Sequence, residues 1–197
     1  MKKTIPITLA LLCLLLVNSF ANTPADEPKG TNGKCYVQYN DGTVKEFGSL
    51  ELVTGFFKTP HLLADGNTVV KAHEIKAYYD SKGRYAVSTK NFSDNKKTGK
   101  VAADALQGFA LRVAKGKINL YSVKYYNGRN TVNKFFLQDG DKGAIVPYTT
   151  ELFNSLVKND TEVSGFCQGK LDAKDAAKCL LAAVEMYNRN AEALTIN

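Results

Sequence analysis

The chain has 197 residues, 44% of them hydrophobic and 23% charged, with a formal net charge of +7. That balance excludes a disordered or fibrous chain and allows a packed core of one ordinary domain. Only four of the 26 basic residues are arginines, and arginine does most bidentate reading of phosphate and bases, so the composition argues against nucleic acid as partner.

The first 21 residues carry an export pattern. Lys2-Lys3 precede an eleven-residue apolar run, Ile7–Val17, and Ser19-Phe20-Ala21 places small residues before Asn22. A run this short does not span a bilayer. Residues 1–21 therefore read as a secretory signal, with Cys13 leaving inside it and no transmembrane anchor after cleavage. Removal takes two lysines and no acids, which lowers the charge from +7 to +5. The expected location is the periplasm or the outside of the cell.

Residues 22–33, rich in Pro, Gly and polar side chains, read as a flexible tether. A β-rich body is expected over 34–148. Lys34–Tyr39 and Thr43–Phe47 flank Asn40-Asp41-Gly42, an Asp-Gly hairpin signal. The same device sits at Asp65-Gly66 before Thr68–Ala72, and at Asp139-Gly140 between Phe135–Leu137 and Ala144–Val146. A looser turn, Asp80–Gly83, feeds Arg84–Thr89. His73 is expected within one strand over the Thr68–Tyr79 run. Lys90–Lys100 is a polar, lysine-rich loop, and Val101–Gly108 is open between a helical turn and a strand run-in.

The centre of the body is Gly108–Tyr126. Phe109, Leu111 and Val113 alternate with Ala110, Arg112 and Ala114, Lys115-Gly116 supplies a turn, and Ile118–Tyr126 is a second β-forming run. A C-terminal helical element is expected over 149–197. Thr149 or Thr150 caps a helix whose Leu152, Phe153, Leu156 and Val157 share a face and which ends near Asn159. A longer helix is expected from Asp172, burying Ala176, Leu180, Ala183, Val184 and Tyr187. The fold class is α+β: an antiparallel β-meander or small barrel-like sheet with C-terminal helices packed on it.

Three cysteines remain after signal removal. Cys167–Cys179 is the candidate disulfide because it closes a short loop, worth about 2–3 kcal/mol in the chain-entropy model; Cys35 then behaves as a small core residue, and a pairing through Cys35 is the rival.

Catalytic and metal patterns are weak. His73-Glu74-Ile75-Lys76-Ala77 begins like a zinc-protease helix but has Ala77 where the second histidine is needed. Asp139–Gly143 starts like a calcium loop, yet the closing position falls on Thr150 and Glu151 is one residue late. No cofactor or metal is therefore expected. The aromatic cluster Tyr121, Tyr125, Tyr126, Phe135 and Phe136 is the most suggestive feature, since opposing strands could line a groove with stacked rings. The candidate binding set is Tyr121, Tyr125, Arg129 and Phe136, although alternation assigns at least half of the aromatic cluster to the core.

Val113–Tyr121 (VAKGKINLY), Phe136–Gly140 (FLQDG) and the helix end Glu185–Asn188 (EMYN) resemble a pattern in exported β-rich proteins of Gram-negative bacteria. The resemblance implies a signal peptide, a β-rich body and C-terminal helices, with no assigned activity and no functional residue to carry over. The function expected is that of an exported, non-enzymatic binding or structural module of the envelope, with an envelope protein or polysaccharide as partner. The alternative is an envelope glycan or peptide hydrolase using paired carboxylates.

Overall fold

The computed structural model describes residues 34–55, 58–92, 108–126, 129–167 and 176–196. The signal, the tether, most of the lysine-rich loop, the stretch before Gly108 and the start of the last helix at Asp172 lie outside the described residues.

Eleven strands are described: β1 Cys35–Tyr39, β2 Val44–Phe47, β3 Leu50–Gly55, β4 Lys58–Ala64, β5 Thr68–Lys71, β6 Ile75–Tyr79, β7 Tyr85–Ser88, β8 Phe109–Ala114, β9 Ile118–Tyr126, β10 Thr131–Asp139 and β11 Val146–Pro147. Three helices follow: α1 Thr150–Val157, α2 Thr161–Cys167 and α3 Ala176–Ile196. Eight strands form one antiparallel sheet in the order β11-β10-β9-β8-β7-β6-β1-β2; β3, β4 and β5 form a second, smaller one. The large sheet has two ends, β11 and β2, so it is an open meander and not a barrel.

Local chemistry explains the hairpins. Ala64 stands opposite Thr68, so Asp65-Gly66-Asn67 connects the strands, with Asp65 (φ 50) and Gly66 (φ 73) both left-handed. Asn67 N donates to Ala64 O across it. The central hairpin forms as expected, with Arg112 opposite Tyr121 and Leu111 opposite Ser122.

Each face of the large sheet is covered differently. Ile118, Leu120 and Leu137 meet Phe153 and Val157 of α1, Val163 of α2, and Leu180, Ala183 and Val184 of α3. Further along the same face, Cys35, Val37, Tyr78 and Ala86 meet Leu50, Leu62, Ala64 and Val70 of the small sheet. The opposite face carries Ala77, Val87, Ala110, Tyr121, Val123, Phe136 and Ile145. Helix α1 starts at Thr149, whose hydroxyl accepts from Leu152 N at 3.1 Å, a cap worth about 1 kcal/mol. Asp160 accepts from Val163 N at the start of α2 and from Asn190 Nδ2 on α3, tying the two helices together.

Three features depart from the sequence-based expectation. The Thr68–Tyr79 run is not one strand: it breaks at residues 72–74 into β5 and β6, which belong to different sheets. Glu74 makes the break, because its N donates to Lys71 O while its carboxylate accepts from Lys71 N. Asn40 Nδ2 holds the corner through His73 O, so His73 is a turn residue. Strand β3 and helix α2 form where no element was expected.

Candidate functional site

The face of the large sheet opposite the helices carries one row of side chains in register. Tyr36 stands opposite Tyr79, and their rings stack at 5.6 Å with 10° between planes. Tyr79 stands opposite Tyr85. The β7–β8 register, which sets Ala86 against Leu111, brings Arg112 over Tyr85, its Cζ 4.1 Å from the ring centroid. Arg112 stands opposite Tyr121, and Tyr121 opposite Phe136. A strand period of two keeps all six on one side of the sheet. Tyr36, Tyr121 and Phe136 are buried in this row, while Tyr79, Tyr85 and Arg112 are half-buried.

Behind Arg112 lies a buried polar network. Tyr121 OH donates to Gln138 Oε1 at 2.8 Å, and Gln138 Nε2 donates to Asp141 O and Gly143 O. Asn119 Nδ2 reaches Gln138 Oε1, Gly140 O and Asp141 Oδ1. These bonds lock the β10–β11 connection against the sheet. The turn that resembled a calcium loop uses its carboxylates internally: Asp141 accepts from Asn119, and Asp139 faces Lys117 at 3.8 Å.

Burial pushes the Tyr121 phenol pKa far above its ordinary range, the nearby Tyr85 adds to this, and Arg112, which hydrogen-bonds to it, works in the opposite sense. Burial also raises Tyr78 to about 12, with Asp80 adding to the rise. A phenol whose folded pKa exceeds its unfolded value near 10 contributes stability in full below pH about 10 and loses it as pH climbs through the folded value. Spectrophotometric titration is therefore expected to leave two of the ten tyrosines silent until about pH 12, with stability falling from pH 10 upward. Full ionisation of all ten near pH 10 in the folded protein would contradict this placement.

The four residues of the expected binding set do not gather. Tyr121 and Phe136 are opposite each other but only 2% and 1% exposed, so they are interior, and Phe92 packs on Phe136 at 4.4 Å. Arg129 is exposed in the β9–β10 connection, about 17 Å along the strand from Tyr121. The side chain of Tyr125 lies outside the described residues. What was missed is the rest of the row: Tyr79, Tyr85 and Arg112 are half-buried and reach solvent beside Tyr121. Alternation placed Arg112 with Ala110 on one side of β8, but its neighbours depend on register across five strands, which no local pattern carries.

The histidines stay apart in role. His61 Nδ1 sits 3.0 Å from Thr59 O in β4, and His73 lies 3.9 Å from Glu74 in the corner before β6. Among the described residues no three His, Cys, Asp or Glu converge as metal ligands. Cys35 is a buried free thiol, Cys179 is a half-buried free thiol, and the side chain of Cys167 lies outside the described residues. Among the described residues no helix is long and apolar enough to cross a membrane.

Comparison with protein-family models, with curated proteins and with solved structures returns no match for this chain.

Proposed function

We propose that this is an exported, non-catalytic binding module of the cell envelope, working through the tyrosine–arginine row of its large sheet. The row carries the proposal: the Arg112 guanidinium, its Cζ 4.1 Å from the Tyr85 ring centroid, and the half-buried rings of Tyr79 and Tyr85 sit in register on one face of the sheet. Export rests on the basic, apolar and small-residue segments of Met1–Ala21. In an oxidising compartment Cys167–Cys179 would close, leaving Cys35 as the buried thiol.

The chain has no tryptophan, so its emission comes from ten tyrosines, four of which stand in the row. Envelope polysaccharide titrated into the mature protein is expected to change that emission saturably, and Tyr85→Ala to weaken binding about tenfold through loss of the cation–π partner and its contact area. N-terminal sequencing of protein from the envelope fraction should read from Asn22. Absence of any saturable change, or a chain retaining Met1 in the cytosol, would contradict the proposal.

A further inference from the structure

We propose that the outer face of the small sheet docks on the same face of a second copy of this chain, giving a weak two-fold dimer. This surface lies on the far side of the molecule from the tyrosine–arginine row, and its use does not depend on what the row binds.

Strand alternation divides the small sheet into two faces. Leu50, Leu62, Ala64 and Val70 point to the large sheet and are buried. The residues between them point away from it and form two rows across the strands. Glu51, Leu63 and Val69 stand in one row, and Val53, His61 and Lys71 in the other. Val53, His61 and Leu63 are half-buried, and Val69 keeps 52% of its surface exposed. An apolar strip of this kind with charge at its rim marks an interaction surface.

The charges select the partner. Glu51 and Lys71 occupy opposite corners of this grid, with Val53 and Val69 at the other two. Among the described residues neither Glu51 nor Lys71 has an ion-pair partner. Glu74, next to the Lys71 corner, accepts from Lys71 N and faces His73. A two-fold interface brings residue i of one copy to residue j of the other, and j to i. With the axis along the Val53–Val69 diagonal, each Glu51 falls about 4 Å from the Lys71 position of the other copy, an offset that a lysine stem spans. Opposite charges then meet twice, valine meets valine on the axis, and Leu63 falls beside His61 of the other copy. The strands of the two sheets cross steeply, as in orthogonal sheet packing.

Three strands over five residues cover roughly 250 Å², far below a standard interface of about 1,200 Å² or more. The dimer therefore belongs to the weak class, with a dissociation constant of about 0.1–1 mM. It turns the two tyrosine faces outward on opposite sides, so that one dimer presents two of them to a polymer.

The test is sedimentation equilibrium of the full mature protein from about 10 µM to 1 mM. The unaltered chain is expected to pass from monomer towards dimer across that range. Glu51→Lys sets lysine against Lys71, and Lys71→Glu sets glutamate against Glu51. Each alone is expected to weaken dimerisation at least about tenfold. An equimolar mixture of the two variants is expected to dimerise again, because both cross-pairs are then opposite in sign, and this recovery needs both variants folded. An unaltered chain that stays monomeric to about 1 mM, or that binds phospholipid vesicles in place of itself, would overturn the proposal. So would dimerisation unchanged in either variant, or two variants with unaltered circular dichroism that fail to restore each other on mixing.

Discussion

Asn188→Ala is expected to lower stability by about 3 kcal/mol, read as a drop in urea midpoint at unchanged slope. Asn188 projects from α3 onto the β8–β9 turn and is itself only 5% exposed. Its Oδ1 accepts from Ile118 N at 2.8 Å, and its Nδ2 donates to Ile118 O at 2.9 Å and Lys115 O at 3.3 Å. Alanine leaves that buried strand start with backbone groups that neither protein nor water satisfies. Asn188→Asp is expected to do no better, because a carboxylate would face two carbonyl oxygens where an amide now donates to them.

The same contact dictates Gly116. A Cβ there would lie 2.7 Å from Asn188 Nδ2 and 2.8 Å from its Cβ, with Cγ closer still. Gly116→Ala should therefore cost about 1–3 kcal/mol by overpacking. In the double variant Gly116→Ala/Asn188→Ala the clashing amide is gone, so the combined loss should fall short of the sum. Additive losses would mean that α3 does not touch the turn.

Phe153→Ala should have the largest single effect, about 3–5 kcal/mol. Phe153 is fully buried on α1 among Leu120, Leu137 and Leu180, where helices and sheet meet. Removing the ring leaves a cavity between layers that rigid elements cannot close. It lies on the face of the sheet opposite Arg112, so the folded variant should bind ligand with unchanged affinity. A loss under about 1 kcal/mol by thermal or urea unfolding would contradict the packing of α1 on the sheet.

The hairpins were legible because their signals are local. Asp41-Gly42, Asp65-Gly66 and Asp139-Gly140 each declare a reversal within two residues, and Thr149 declares a helix start within four. Sheet membership was not legible. Strand β1 pairs with β6, about forty residues away, while the intervening β3–β5 leave the sheet altogether. The corner at residues 72–74 that redirects the chain is made by Glu74 and by Asn40, a partner more than thirty residues distant. Asn188 reads in sequence as a polar residue at the margin of an apolar stripe. Its role appears only when Gly116 and Ile118, seventy residues earlier, are brought beneath it.

The candidate site followed the same division. Aromatic richness on β9 and β10 was visible, and both strands belong to the large sheet. It selected Tyr121 and Phe136, which the opposite-strand register and Phe92 bury, and passed over Tyr85 and Arg112 on the adjoining strands. Alternation tells which residues share a side of one strand; only register tells which of them meet across several.

Nitration of tyrosines, mapped by mass spectrometry with and without envelope polysaccharide, tests the binding face most directly. Tyr79 and Tyr85 should react in the free protein and be shielded in the complex, while buried Tyr78 and Tyr121 stay unmodified in both. Equal reactivity of Tyr85 with and without saturating ligand, or ready nitration of Tyr121 in the folded chain, would contradict the account.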